Sequence, residues 1–167
     1  AKRTKLKIVT HHHSSNYHKG HEYYQILDNY LESKSNKDRF EFTYIGNYPQ
    51  NINYRNTTII PLLQTSKLAN ELRNNHVYLT GSKDEAGGMH HIEGALCGLP
   101  ILYLSSGALP EYCDGFGIEF NHDNFINKLE HMFENYHHYF SRMKYYKCTA
   151  NIMFKNYLNL FEDLHYK

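Results

Sequence analysis

The sequence predicts an α/β protein, a doubly wound parallel sheet of about six strands followed by a helical C-terminal tail. Three observations predict it. Short β-branched or apolar runs alternate with segments of helical periodicity, with no internal repeat and no low-complexity linker. A glycine-bearing turn at residues 81–88 (GSKDEAGG) links a strand to a helix that Gly98 and Pro100 close, and another strand follows, which is the βαβ order. Residues 100–104 (PILYL) are almost wholly apolar, as a central parallel strand covered on both faces requires.

The elements follow from local pattern. Residues 6–10 (LKIVT) read as the first strand, and residues 11–20 (HHHSSNYHKG) as a polar loop closed by Gly20. Tyr23, Ile26, Leu27, Tyr30 and Leu31 recur at three- and four-residue steps, which predicts an amphipathic helix over 21–33. Residues 40–46 (FEFTYIG) alternate with period two and form the second strand; the Asn- and Tyr-rich stretch 47–56, holding Pro49, is a loop. Residues 57–61 are a third strand, 68–74 a short helix and 76–80 (HVYLT) a fourth strand. A helix is expected over 89–97, and residues 115–120 read as a weaker last strand. From residue 123 on, Phe125, Leu129, Phe133 and Tyr136, then Phe154, Tyr157, Leu158, Phe161 and Leu164, mark helices interrupted near 147–149. The sheet therefore lies in residues 1–120 and the helical tail in 121–167.

Composition narrows the function. A chain of 167 residues holds one domain with one core, and 41% hydrophobic against 21% charged residues is the balance of a folded globular chain. Eighteen Lys plus Arg against 17 Asp plus Glu leave a formal charge of +1, with no basic excess for nucleic-acid backbones. No apolar run reaches the ~20 residues that span a bilayer and no leader pattern opens the chain, so a cytoplasmic location is expected. Cys97, Cys113 and Cys148 form neither an even set nor a CxxC pair, so they read as free thiols.

In a doubly wound sheet the ligand crevice lies beyond the carboxyl ends of the strands, which directs attention to two loops. In the first, Lys19 precedes Gly20 and a helix start, placing an ammonium beside unpaired N–H groups; this suits phosphate, and equally describes a solvated surface charge. In the second, Glu85 stands in the loop and Glu93 on the helix, with Gly87 and Gly88 between them where bare backbone can approach a ligand. At about 100° per residue, Met89, Ile92, Leu96 and Cys97 span one apolar arc and Glu93 falls inside it. An inward carboxylate needs a partner: a structural Arg or Lys, water at the helix end, or a ligand. Gly94 and Ala95 favour tight packing of this helix on the sheet.

The segment Glu85-Ala-Gly-Gly-Met-His-His-Ile-Glu93, continued by Gly-Ala-Leu-Cys-Gly-Leu-Pro-Ile-Leu, resembles the E-x7-E motif and its continuation in the nucleotide-sugar-binding C-terminal domain of GT-B, family-4-like retaining glycosyltransferases. Upstream, LKIVTH with Lys19-Gly20 is similar to that family's strand, loop and KG opening. Downstream, Ser106 to Glu111 (SGALPE) resembles its GGxPE turn, and KNYLNLFEDL its closing helix. The resemblance runs through nearly the whole chain in order. It implies a Rossmann-like half of a GT-B fold that binds a nucleotide-diphosphate sugar, with transfer of a hexosyl group with retention and no metal or other cofactor. It implies diphosphate contact for Lys19 and Gly20, a catalytic position beside the transferred hexose for Glu85 and ribose binding for Glu93. Backbone N–H groups of Gly87, Gly88, Met89 and His90 would meet sugar or phosphate oxygens, and Leu62 and Leu63 would pack the base.

Two departures stand out. The Arg that the family carries a few residues before the KG lysine is absent from His11-His12-His13-Ser14-Ser15-Asn16, and Ala86 and Gly87 replace a Gly-Phe pair. GT-B enzymes also place the acceptor on a separate amino-terminal domain. One domain of this size is thus expected to be the donor-binding half alone and to transfer poorly without a glycan, lipid or protein acceptor held beside it.

Three other readings compete. The histidine pairs and triplet could ligate metal, but adjacent histidines diverge on a strand or helix and no HExxH or Cys/His spacing accompanies them. A non-catalytic nucleotide- or partner-binding module would leave Glu85 and Glu93 dispensable, whereas the transferase reading predicts weaker binding on Glu93→Gln or Glu85→Gln. An epimerase-like domain would bind the same donor and differ only in product.

Overall fold

The computed structural model describes residues 5–165. Six strands, β1 (Leu6–His12), β2 (Phe40–Gly46), β3 (Thr58–Ile60), β4 (Val77–Thr80), β5 (Ile101–Leu104) and β6 (Gly117–Phe120), form one sheet in the order β3-β2-β1-β4-β5-β6. Every pairing is parallel, so the doubly wound prediction holds, and the order reverses direction between β1 and β4. The helices are α1 (His21–Tyr30), α2 (Lys34–Lys37), α3 (Thr65–Arg73), α4 (His90–Leu96), α5 (Leu109–Cys113), α6 (Phe125–Arg142) and α7 (Ala150–His165).

Register assigns the faces. Ile8 pairs with Phe42 and Val77, and Leu102 with Leu79 and Ile118, so these side chains share one face. Helices α1 and α6 cover it: Tyr24 lies against Phe42, Tyr23 meets Phe120 and Phe125 edge-on, and Phe133 meets Phe40. Val9, Tyr78 and Ile101 line the opposite face, where α4 packs. A Cβ on Gly94 would come within 2.4 Å of the Tyr78 ring, so the missing side chain lets α4 sit directly on β4 as its sequence predicted. Ile8, Val9, Phe42, Tyr78, Leu79, Ile101 and Leu102 are fully buried, as the apolar strand sequences require.

Three differences from the sequence reading have identifiable causes. Strand β1 runs two residues further than expected, because His11 and His12 pair with Ile45 and Gly46 and are buried rather than looped out. The first helix stops at Tyr30, since Ser33 caps a separate turn of helix by accepting from the Asn36 N–H. The SGALPE stretch contains a short helix, α5, with Pro110 in its first turn, where the missing N–H costs no intrahelical bond. The expected break near 147–149 is present: a 3₁₀ turn at Met143–Tyr145 and a short irregular link separate α6 from α7. All described side chains of α7 are exposed, Phe154, Tyr157, Phe161 and Leu164 among them.

The long loop before β3 is tied to α1 chiefly through a buried carboxylate. Asp28 accepts from the backbone N–H groups of Arg55 and Asn56 at 3.0 and 2.9 Å and from Thr57 Oγ1 at 2.6 Å.

Gly20 marks a close backbone approach near the strand ends. It adopts φ +91°, and a Cβ there would lie 2.3 Å from the Gly81 carbonyl carbon, so the loops after β1 and β4 touch backbone to backbone. Gly20→Ala is expected to destabilise the chain by more than about 2 kcal/mol, combining positive-φ strain with a backbone clash. Urea unfolding of the two proteins, compared at equal m-value, measures it.

Candidate functional site

At the reversal point between β1 and β4 a cavity of about 320 Å³ opens beyond the strand ends, lined by His11, His12, His13, Ser14, Lys19, Gly88, Met89, His90 and Glu93. That places it where the crevice rule predicts, and at the small end of the size range of ligand pockets. The loop after β1 supplies one wall. Asn16 caps a 3₁₀ turn at Tyr17–Lys19 by accepting from the His18 N–H, and Gly20 then reverses the chain into α1. The loop after β4 is laced to it by the Lys83 N–H, which donates to the His18 carbonyl at 2.7 Å, and by the Lys83–Glu22 ion pair at 2.7 Å.

Lys19 Nζ lies 2.8 Å from Glu85 Oε2 in a pair that is largely shielded, with the two side chains 27% and 16% exposed. The second loop is shaped around this pair. A Cβ on Gly88 would lie 2.6 Å from the Glu85 carboxyl carbon, so only glycine leaves the carboxylate room to swing toward Lys19. Glu85 itself is anchored by its carbonyl, which accepts from the Ala108 N–H at 2.8 Å, while the Asp84 N–H donates to Ser106 Oγ at 2.9 Å. Asp84 holds φ +52°, an uncommon conformation for a residue other than glycine, at the point where this loop turns toward the cavity. Gly87 is exposed with open space where a Cβ would stand.

Glu93 corrects the sequence reading of α4. Met89 and Leu96, expected on the buried arc, are 61% and 51% exposed, and the buried face is made by His90, His91, Ile92, Gly94 and Ala95. The cause is Gly94, which must face Tyr78 for the helix to reach the sheet; this turns Glu93 toward the cavity, where its side chain is 46% exposed. Its partner is neither Arg nor Lys. His11 Nε2 lies 2.7 Å from Glu93 Oε2, and this hydrogen bond is the main cause holding the Glu93 carboxyl below its ordinary range.

The histidines are what the sequence reading undervalued. Their strand position was hidden because HHH scores as a polar loop, yet His11 and His12 diverge to opposite faces of β1. His12 Nε2 lies 2.7 Å from Tyr24 Oη, and His90 Nε2 lies 2.9 Å from Thr80 Oγ1. Burial, reinforced by neighbouring histidines, holds His12 and His90 well below the ordinary 6.5; burial likewise lowers His21 and His91 to about 4. Among the described residues no group of three or more His, Cys, Asp or Glu is placed to hold a metal ion. Leu62 and Leu63 follow β3, half-buried; Leu62 reaches the Gly46 end of β2, and neither lines the cavity. Of the residues singled out from sequence, Lys19, Gly88, Met89, His90 and Glu93 line it, Glu85 is bonded to Lys19, and Gly20 shapes the loop.

Histidines kept neutral by burial make stability depend on pH in a definite direction. Below pH 6.5 the unfolded chain binds protons that folded His12, His21, His90 and His91 refuse, so stability is full above pH 6.5 and falls as the pH drops toward about 4. Urea midpoints taken across that window are expected to fall with more than one proton bound on unfolding; a flat profile would contradict the neutral buried cluster.

Neither a family model nor a curated protein sequence matches the chain, and its likeness to known proteins is carried by structure. The pneumococcal O-GlcNAc transferase GtfA, solved with UDP and GlcNAc, superposes with a TM-score of 0.67 at 16% identity over 98% of this chain and 37% of its own. WaaG, a glycosyltransferase involved in lipopolysaccharide biosynthesis, gives 0.70 at 12% identity over 90% of this chain and 45% of its own. The catalytic domain of starch synthase IV from Arabidopsis thaliana, bound to ADP and acarbose, gives 0.64 at 12% identity over 98% and 38%. The chain thus spans less than half the length of each of these structures. Its single parallel sheet with flanking helices has the Rossmann-like α/β fold of one half of a GT-B glycosyltransferase.

Proposed function

We propose that the chain is the donor-binding half of a retaining glycosyltransferase and takes a nucleotide-diphosphate sugar. The observation that carries this reading is convergence: Lys19 from the loop after β1 and Glu93 from the helix after β4 line one cavity at the reversal point of the sheet, and Glu85 from the loop before that helix is paired with Lys19. The fold likeness to glycosyltransferases, two of them solved with UDP or ADP, supports the same class of ligand.

In this reading the ligand-free site is internally neutralised, and the donor exchanges its pairs. Phosphate oxygens take Lys19 Nζ from Glu85, joined by backbone N–H groups of Gly20 and of residues 87–90; the freed Glu85 carboxylate turns to the hexose hydroxyls. Glu93 accepts from the pentose hydroxyls, and the base lies toward Leu62 and Leu63. Lys19 and backbone dipoles neutralise the leaving diphosphate, so no metal is required. An acceptor-binding half completes the enzyme, and the exposed apolar side chains of α7 support the existence of a further packing surface.

Calorimetric or NMR titration with UDP, GDP, ADP and their sugar conjugates tests the reading. One diphosphate is expected to bind saturably, and Glu93→Gln to weaken it by about 1 kcal/mol or more, roughly fivefold. No binding by any of them would favour a non-catalytic module.

The pairing of Lys19 with Glu85 gives a sharper test. Glu85→Gln should bind the bare diphosphate up to about fivefold more tightly, because a competing carboxylate is removed. It should lose the extra affinity of the sugar conjugate over the diphosphate. Equal weakening of both ligands would contradict the exchange.

A further inference from the structure

His11 is 1% exposed and Tyr78 fully buried, yet they form a continuous hydrogen-bonded path to the cavity wall. Tyr78 Oη lies 3.0 Å from His11 Nδ1, and His11 Nε2 lies 2.7 Å from Glu93 Oε2. The phenol is itself fixed, because the His11 backbone N–H donates to it at 3.3 Å. Three elements that meet at the reversal point, β4, β1 and α4, thus each contribute one member.

The chemistry of the path has one outcome at Glu93. An ionised carboxylate can only accept, so Nε2 at 2.7 Å carries a proton whether the Tyr78 hydroxyl points to His11 Nδ1 at 3.0 Å or to the His11 carbonyl at 3.4 Å. Either way an N–H donates to the carboxylate. The ring cannot turn away, because Tyr78 holds its other nitrogen and His90 packs against it at 6.4 Å between centroids. Oε2 is thereby pinned, while Oε1 has no hydrogen-bond partner among the described residues, and the side chain stays half-open to the cavity.

We propose that His11 is a positioning residue for Glu93, fixing its carboxylate in the one orientation from which it accepts from the vicinal hydroxyls of a ligand's pentose. The inference rests on the donor-site reading for the identity of the ligand, and it assigns His11 a role in ribose recognition rather than in phosphate binding. The ionisable groups that face His11 are Glu93 and His90 of α4, Tyr78 of β4 and His12 of its own strand; His13 acts on Glu93, and Lys19 on His12 and His90. Glu93 is the one among them that both touches His11 Nε2 and opens on the cavity, so His11 reaches the ligand through it.

The test uses His11→Phe, which keeps ring volume without the donor, and His11→Gln, whose amide nitrogen replaces Nε2. With the nucleoside diphosphate that the wild type binds, His11→Phe is expected to weaken binding about five- to tenfold, the loss of one charge-assisted hydrogen bond. His11→Gln should restore it to within about twofold, inorganic pyrophosphate should bind all three alike, and in a Glu93→Gln background His11→Phe should have no further effect. The 2′-deoxy diphosphate should bind wild type and His11→Phe equally. Unchanged nucleotide binding in His11→Phe, failure of the glutamine to rescue, or an equal loss of pyrophosphate would overturn the proposal. Should the wild type bind no nucleotide, the donor reading fails, and the carboxyl resonance of Glu93 still decides the positioning. Its titration midpoint moves upward in His11→Phe and not in His11→Gln if the proposal is right, and stays put in both if it is wrong.

Discussion

Everything at the site depends on the backbone contact between Gly20 and Gly81. Strands β1 and β4 are neighbours in the sheet, but the chain leaves them in opposite directions, so their loops would diverge if nothing joined them. The absent side chain at Gly20 lets the loops meet, and Lys83 ties them again through the His18 carbonyl and Glu22. Lys19 belongs to one loop and Glu85 to the other. Their pairing at 2.8 Å therefore follows from that junction, which brings the two loops within reach of each other.

Charge around the cavity is not arranged in advance for the diphosphate it is proposed to take. Glu85 is paired with the one ammonium, Lys19, and Glu93 with His11, while His12 and His90 are held neutral by burial. An incoming diphosphate adds negative charge, so favourable binding requires that existing pairs be exchanged rather than merely added to. Releasing Glu85 from Lys19 does this without burying an unpaired charge, since the carboxylate passes from an ammonium to sugar hydroxyls that can donate to it. A ligand lacking the sugar strands that carboxylate in solvent. In the proposed exchange, the conjugate and the bare diphosphate would therefore be distinguished by the fate of Glu85.

The fold was legible because its signals are local and strong: period-two and wholly apolar runs for the strands, and glycines and prolines at the helix ends. Strand β2 matched to the residue. What was missed lay where tertiary context overrides local pattern. His11 and His12 look like loop by composition, and only pairing with Ile45 and Gly46 makes them strand. Their burial depends on Tyr24, Tyr78 and His90, which are distant in sequence. The face of α4 was misjudged for a related reason. A hydrophobic arc assumes that apolar side chains choose the buried side, whereas here the close fit of Gly94 on Tyr78 chooses it, exposing Met89 and Leu96 and burying two histidines. Glycine carries no weight in an amphipathic pattern, so the residue that sets the rotation of the helix was invisible to it.

That rotation also shows how close contacts can hold the residues of a candidate site while the side chains around them vary. The positions of Lys19, Glu85 and Glu93 are set by two backbone contacts, Gly20 on Gly81 and the Glu85 carbonyl with the Ala108 N–H, and by the fit of Gly94 on the Tyr78 ring. Side chains around them can change as long as those contacts remain. Histidines can therefore line the wall where a cation was expected, since they occupy the strand end without moving either loop. The consequence is chemical rather than architectural. An imidazole in place of a permanent guanidinium gives up a fixed charge but gains a donor of fixed direction toward a carboxylate, which in the proposed site would shift recognition from the diphosphate toward hydroxyls.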